Sequence, residues 1–290
     1  NPGADAPVFA VALQPDGKIL AGGTFLHLGG QPRQRIGRLT ASGALDSGFN
    51  PGADAEVRAI LVQPDGKILV GGVFQQLGGL PCQRVGRLQA GGARDATFQA
   101  QVSDSVNCMQ LQTDGKILIG GLFLQVDGQP CIRIARLTAG GALDATFNTG
   151  DGANGILLSL TLHPDGKILA CGAFTVLSGL GRPYIGRYSN TGAALQSLRV
   201  APDGLTITWL RSGTGPEVWR TTFDYSSDGT SWTSLGSGTR IAGGWQRPNL
   251  ALPFQRTGYI RARGYVASGA DHSSICESVR QFYLDPPALH

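Results

Sequence analysis

The hexapeptide Pro-Asp-Gly-Lys-Ile-Leu stands at residues 15–20, 64–69 and 164–169, with Thr in place of Pro at 113–118. The copies lie 49, 49 and 51 residues apart. A repeat of that period means one supersecondary unit built several times, with a core that only neighbouring units complete. All four lysines of the chain sit in these turns. A residue copied in every unit serves the unit first, which counts against reading any of these positions as a catalytic site.

Composition narrows the type of unit. There are 44 glycines and 16 prolines, and charged residues make up 15%. Such a chain turns often and has few solvated helical faces, as all-β proteins do. Net charge is +4, and the two parts of the chain, 1–195 and 196–290, are evenly weakly basic with no basic run. That balance speaks against nucleic acid as a partner. No apolar stretch reaches the roughly 20 residues that cross a bilayer. The five cysteines show neither Cys-x-x-Cys nor zinc spacing and read as packed thiols, with one disulfide left open.

Aligned, a unit reads V-x-A-I-x-x-Q-P-D-G-K-I-L-x-G-G-x-F, a short loop, then R-I-G-R-L-T-x-x-G-A-L-D-x-T-F. Val57, Ala59 and Leu61 alternate as in a strand, the Pro64-Asp65-Gly66 turn follows, and Ile68-Leu69-Val70 begins a second strand. Ile36 to Leu39 predicts a third strand, and Leu45 to Phe49 a short fourth. Four short antiparallel strands in about 50 residues describe a propeller blade. The motif resembles the delta-60 repeat, a β-propeller family of bacterial, often secreted or surface proteins. The resemblance covers residues 1 to about 195 and implies a propeller and export, without implying a reaction.

The fourth unit departs from the pattern. Gln196 stands where the others have Asp46, Asp95 and Asp144, and Tyr184 replaces Arg35, Arg84 and Arg133. An array lacking its closing strand leaves sheet surface uncovered, so the expectation is pairing with a second copy or continuation into a longer array. Residues 1–6 repeat residues 50–55, which reads as a start in mid-repeat, from processing or truncation. Beyond Gln196 the aromatic pattern changes. Segments around 206–210, 218–225, 245–252, 258–266 and 275–284 predict a β-sandwich over 196–290. It resembles immunoglobulin-like or fibronectin-type modules of bacterial surface proteins.

Each Asp-Gly turn offers calcium one carboxylate, whereas calcium takes roughly six to eight oxygens, so the expectation is no cofactor and no metal. Arg35/Arg38, Arg84/Arg87 and Arg133/Arg136, with Arg187, read as sharing one strand face, free to grip a carboxylate or sugar hydroxyls. The competing reading has them bonded within the unit to Asp46, Asp95 and Asp144. Arg35, Arg84, Arg133 and Tyr184 are the candidate ligand or interface positions. His27, His163, His272 and His290 are scattered and suggest no triad. Trp209, Trp219, Trp232 and Trp245 read as sandwich core.

The expected protein is a non-enzymatic extracellular or cell-surface scaffold or adhesion protein that self-associates through its blades. The alternatives are a glycan- or protein-binding module using loops 26–34, 75–83, 124–132 and 175–184, and, with least support, an enzyme at a propeller mouth.

Overall fold

The computed structural model describes residues 3–266 and 274–285; Asn1, Pro2, His272 and His290 lie outside the described residues. The chain is all-β, a propeller-type array of four repeat units followed by a two-sheet sandwich. Each unit is a three-stranded antiparallel sheet. In the second unit the strands are Val57–Val62, Ile68–Gly72 and Val85–Leu88, with Ile68–Gly72 in the middle. The other units repeat this order with middle strands Ile19–Gly23, Ile117–Gly121 and Ile168–Ala173.

The predicted fourth strand shrinks to one bridging pair in each of the first three units, Leu39 with Leu45, Leu88 with Arg94 and Leu137 with Leu143. The chain then turns at once, Phe49 N–H donating to the Asp46 carbonyl, so no ladder extends. The loop between the second and third strands contains a two-residue ribbon in every unit, as at His27–Leu28 with Gln31–Pro32. Asp5 and Asp54 tie these ribbons down by accepting the amides of residues 26 and 27, and 75 and 76. Ser103 and Asn154 do the same in the third and fourth units.

The repeated motif explains itself locally. In every turn the Asp carboxylate accepts the Lys amide two residues on, at 2.9–3.1 Å. The following Gly sits at φ 81–85°, which favours glycine. The Gly-Gly pair has two separate reasons. A Cβ on Gly72 would lie 2.0 Å from the Glu56 carbonyl oxygen, because the first strand bulges there. A Cβ on Gly71 would lie 2.9 Å from Val106 of the next unit. One glycine closes the hairpin, and the other lets the neighbouring sheet approach.

Units pack face to face, with their first strands side by side. Leu20 and Ile36 of the first unit meet Val57, Ile60 and Ile68 of the second. Leu61, Leu69 and Val85 then meet Val106, Met109 and Ile117, and Leu118 and Ile134 meet Leu157, Leu160 and Ile168. Alternate residues of a strand face opposite neighbours, so each interior sheet is apolar on both sides.

The sandwich begins within the last repeat, at Ala194. Its first sheet orders Ala194–Val200, Ile207–Gly213, Gly244–Arg247 and Thr239–Ile241; the second orders Thr233–Ser237, Val218–Ser226, Thr257–Val266 and Ile275–Tyr283. The strand expected over 245–252 ends at Arg247, where Pro248 has no amide to offer a ladder. Trp209 and Trp245 join Phe223 and Ile260 in the core. Trp219 and Trp232 are only partly buried, so two of the four tryptophans depart from the core reading.

Candidate functional site

The arginines of the third strand are engaged within the array. Arg38, Arg87 and Arg136 donate from Nε to Asp46, Asp95 and Asp144 at 2.8–2.9 Å. Lys18, Lys67 and Lys116 reach the same carboxylates from the turns, at 3.6, 3.6 and 2.9 Å. Each guanidinium also lies over a phenylalanine, Phe49, Phe98 or Phe147, at 4.4–4.9 Å. Other donors of each guanidinium cross to the following unit. Arg38 bonds the Ala90 carbonyl, Arg87 the Ala139 carbonyl, and Arg136 the side chains of Asn190 and Thr191. The group is a staple between units. Burial opposes the Asp95 charge, but the Thr97 hydroxyl and amide and the Arg87 guanidinium outweigh it and lower its pKa to about 2.

The candidate positions Arg35, Arg84, Arg133 and Tyr184 do not share a face with these arginines. They stand just before the third strand at φ 64–66°, three residues away, and the left-handed turn breaks the strand alternation. Their amides donate to the carbonyls of Phe25, Phe74, Phe123 and Phe174, folding the ribbon back on its sheet. Arg35 and Arg133 donate to the Ala53 and Ala153 carbonyls ahead of them, and Arg84 to the Val73 carbonyl. Tyr184, with no following unit, is 65% exposed.

Three surfaces remain. One is a cleft of about 660 Å³ between the first two units and the sandwich. Val11, Leu13 and Val62 line one wall, and Trp219, Arg220 and Trp245 the other. Arg220 lies over the Trp219 and Tyr265 rings, and Arg240, paired with Glu217, lies over Trp245. The sandwich is held there by loop 213–217. Thr113 donates its amide to the Gly215 carbonyl and its hydroxyl to the Gly213 carbonyl, and Glu217 N–H donates to Leu111. The signal was present in the sequence: Thr113 is the one turn position where proline is replaced, and only a residue with an N–H can make this bond.

The other two surfaces are the ends of the array. Val8, Val11 and Leu13 are 40%, 58% and 44% exposed, while their second-unit counterparts Val57, Ile60 and Val62 are at 0%, 0% and 8%. Those counterparts are buried against the preceding unit, whereas in the first unit Val11 and Leu13 line the cleft facing the sandwich. At the far end Leu158 and Ile185 are exposed. Loops 26–34 and their equivalents converge on no cluster: among the described residues no three His, Cys, Asp or Glu side chains gather. All five cysteines are free thiols, and Cys82, Cys108 and Cys276 are buried.

No curated protein matches this chain. Residues 14–49, 63–98, 112–147 and 163–194 match the family described as a domain of unknown function (DUF5122) beta-propeller. Each matched stretch takes in the second and third strands of one sheet and leaves its first strand outside, and the last stops where the sandwich begins, so the match supports β-propeller-type repeats in the array.

Proposed function

We propose that this is a non-enzymatic scaffold or adhesion protein of the bacterial surface or extracellular space, of the delta-60 kind, working without a cofactor. Its repeat array is a rigid arm, and the free face of its first unit joins it to a second copy. The sandwich, whose eight strands form two four-stranded antiparallel sheets, acts as an immunoglobulin- or fibronectin-like module attached to that arm. The observation that carries the reading is the exposure of Val8, Val11 and Leu13 on a face that every later unit buries. Apolar surface of this kind gains roughly 25 cal/mol per Å² when covered. Sedimentation velocity tests it: the protein associates in the micromolar range, and V11D, on an exposed strand position, stays single. A wild-type protein that sediments as one copy at all concentrations contradicts the joining role. Trypsin treatment of intact source cells tests the location, a surface protein being cut and an internal one spared.

A second reading is favoured by the cleft, whose Trp219, Arg220 and Trp245 offer ring faces and donors suited to sugar hydroxyls. Saturable glycan binding that W219A abolishes supports it; binding unchanged by W219A removes the cleft from consideration.

A further inference from the structure

The cleft between the array and the sandwich carries an unbalanced charge. Its lining holds three charged side chains, Glu217, Arg220 and Arg240. Glu217 is buried at 5% exposure, and its carboxylate is held by Arg240 and by the Val218 amide. Arg240 is thereby neutralised. Arg220 is exposed and, among the described residues, has no carboxylate partner. Arg261 and Arg263 on the neighbouring strand do have one, Asp224 at 3.0 Å and Glu277 at 2.8 Å.

The backbone brings Arg220 to the cleft by an irregularity. Arg220 sits opposite Tyr265, and the ladder slips between Val218 and Arg220, making Trp219 the extra residue of a bulge. Consecutive side chains of a regular strand point to opposite faces. The bulge lets Trp219 and Arg220 border the same cleft. The guanidinium lies 4.1 Å from the centre of the Tyr265 ring and 5.1 Å from that of Trp219. Ring faces attract a cation but leave its N–H donors without an acceptor. The charged groups and the rings all belong to the sandwich. Val62 and Pro64 of the second unit, which carry no charge, lie across from them.

We propose that the cleft takes a carboxylated sugar, its carboxylate on Arg220 and one C–H face of its ring against Trp219. This rests on the glycan reading of the cleft given above and adds the charge of the ligand. Two guanidinium groups against one glutamate leave one positive charge, which one carboxylate balances. The planar fork of an arginine offers that carboxylate two parallel donors. A pyranose presents C–H groups on its faces and hydroxyls around its edge. It therefore packs between Trp219 and the apolar wall with its hydroxyls towards the open side. A volume of about 660 Å³ is in the range of small-molecule sites.

The test begins with an array of carboxylated and neutral glycans, with decanoate titrated separately as an acid that has no sugar. The tightest carboxylated glycan and its methyl ester are then titrated by calorimetry into the wild type, R220Q and R220K. The proposal expects carboxylated glycans to dominate the array and esterification to weaken binding about tenfold or more. It expects R220Q to bind acid and ester alike, while R220K keeps part of the preference. Neutral glycans bound as tightly as carboxylated ones, or an R220Q protein that still prefers the acid, overturn the proposal and leave the glycan reading standing. No glycan bound at all overturns both. Decanoate bound more tightly than every glycan overturns the sugar. Circular dichroism checks the fold of R220Q, whose substitution is at an exposed position.

Discussion

At the scale of single residues, the chain spends its charge on position. Asp95 holds Arg87 and Lys67 together at a site where the carboxylate is 3% and the arginine 9% exposed. Asp95→Asn leaves a buried guanidinium without its counter-charge, a loss of roughly 3–5 kcal/mol in urea unfolding. Asp46→Asn costs less, because that carboxylate is 17% exposed and solvent takes over part of its role. The pH dependence follows from the same group. Its pKa is lowered from 3.8 to about 2 by folding, so its stabilisation is complete above the unfolded value and fades as pH falls from about 4 towards 2. Thermal melts of D95N should show a weaker dependence across that window than the wild type; an identical slope contradicts the assignment. The intra-unit bonding of Arg38, Arg87 and Arg136 could be anticipated from the co-occurrence of Arg and Asp in each unit. The separation of Arg35 from Arg38 was legible as well, since side chains three apart on a strand point to opposite faces, although the left-handed backbone at Arg35 was not.

At the scale of elements, spacing and turn chemistry revealed the hairpins, because Asp-Gly turns and alternating apolar residues act locally. The closing segment misled, because Leu45 to Phe49 has strand-like residues but uses Asp46 to hold Arg38 and turns immediately. The two glycines of each pair make separable predictions. Gly71→Ala forces Val106 and Met109 to shift and costs about 1–3 kcal/mol, weakening the contact between the second and third units. Gly72→Ala meets a backbone oxygen at 2.0 Å and costs more, measured by the same urea midpoint. Equal costs contradict the division of roles. Thr113→Pro places at the third turn the residue native to the other three. It should leave the array's melting temperature nearly unchanged while amide exchange at residues 213–217 rises, because the sandwich loses both bonds from Thr113. Unchanged exchange there means the loop is held by something else.

At the scale of the whole molecule, the period of the repeats revealed four stacked units, while their exposure could be read only from coordinates. Val11, Ile60, Met109 and Leu160 are equally apolar in sequence, and only packing distinguishes the exposed one from the three that are buried. The direct measurement of the central claim is thiol labelling, read by peptide mass mapping, of V11C and M109C. With the protein dilute, V11C labels readily and M109C does not; as concentration rises into the micromolar range, labelling slows at residue 11 alone. Equal labelling at the two positions, or a rate at residue 11 that ignores concentration, contradicts an open first unit that closes on a second copy.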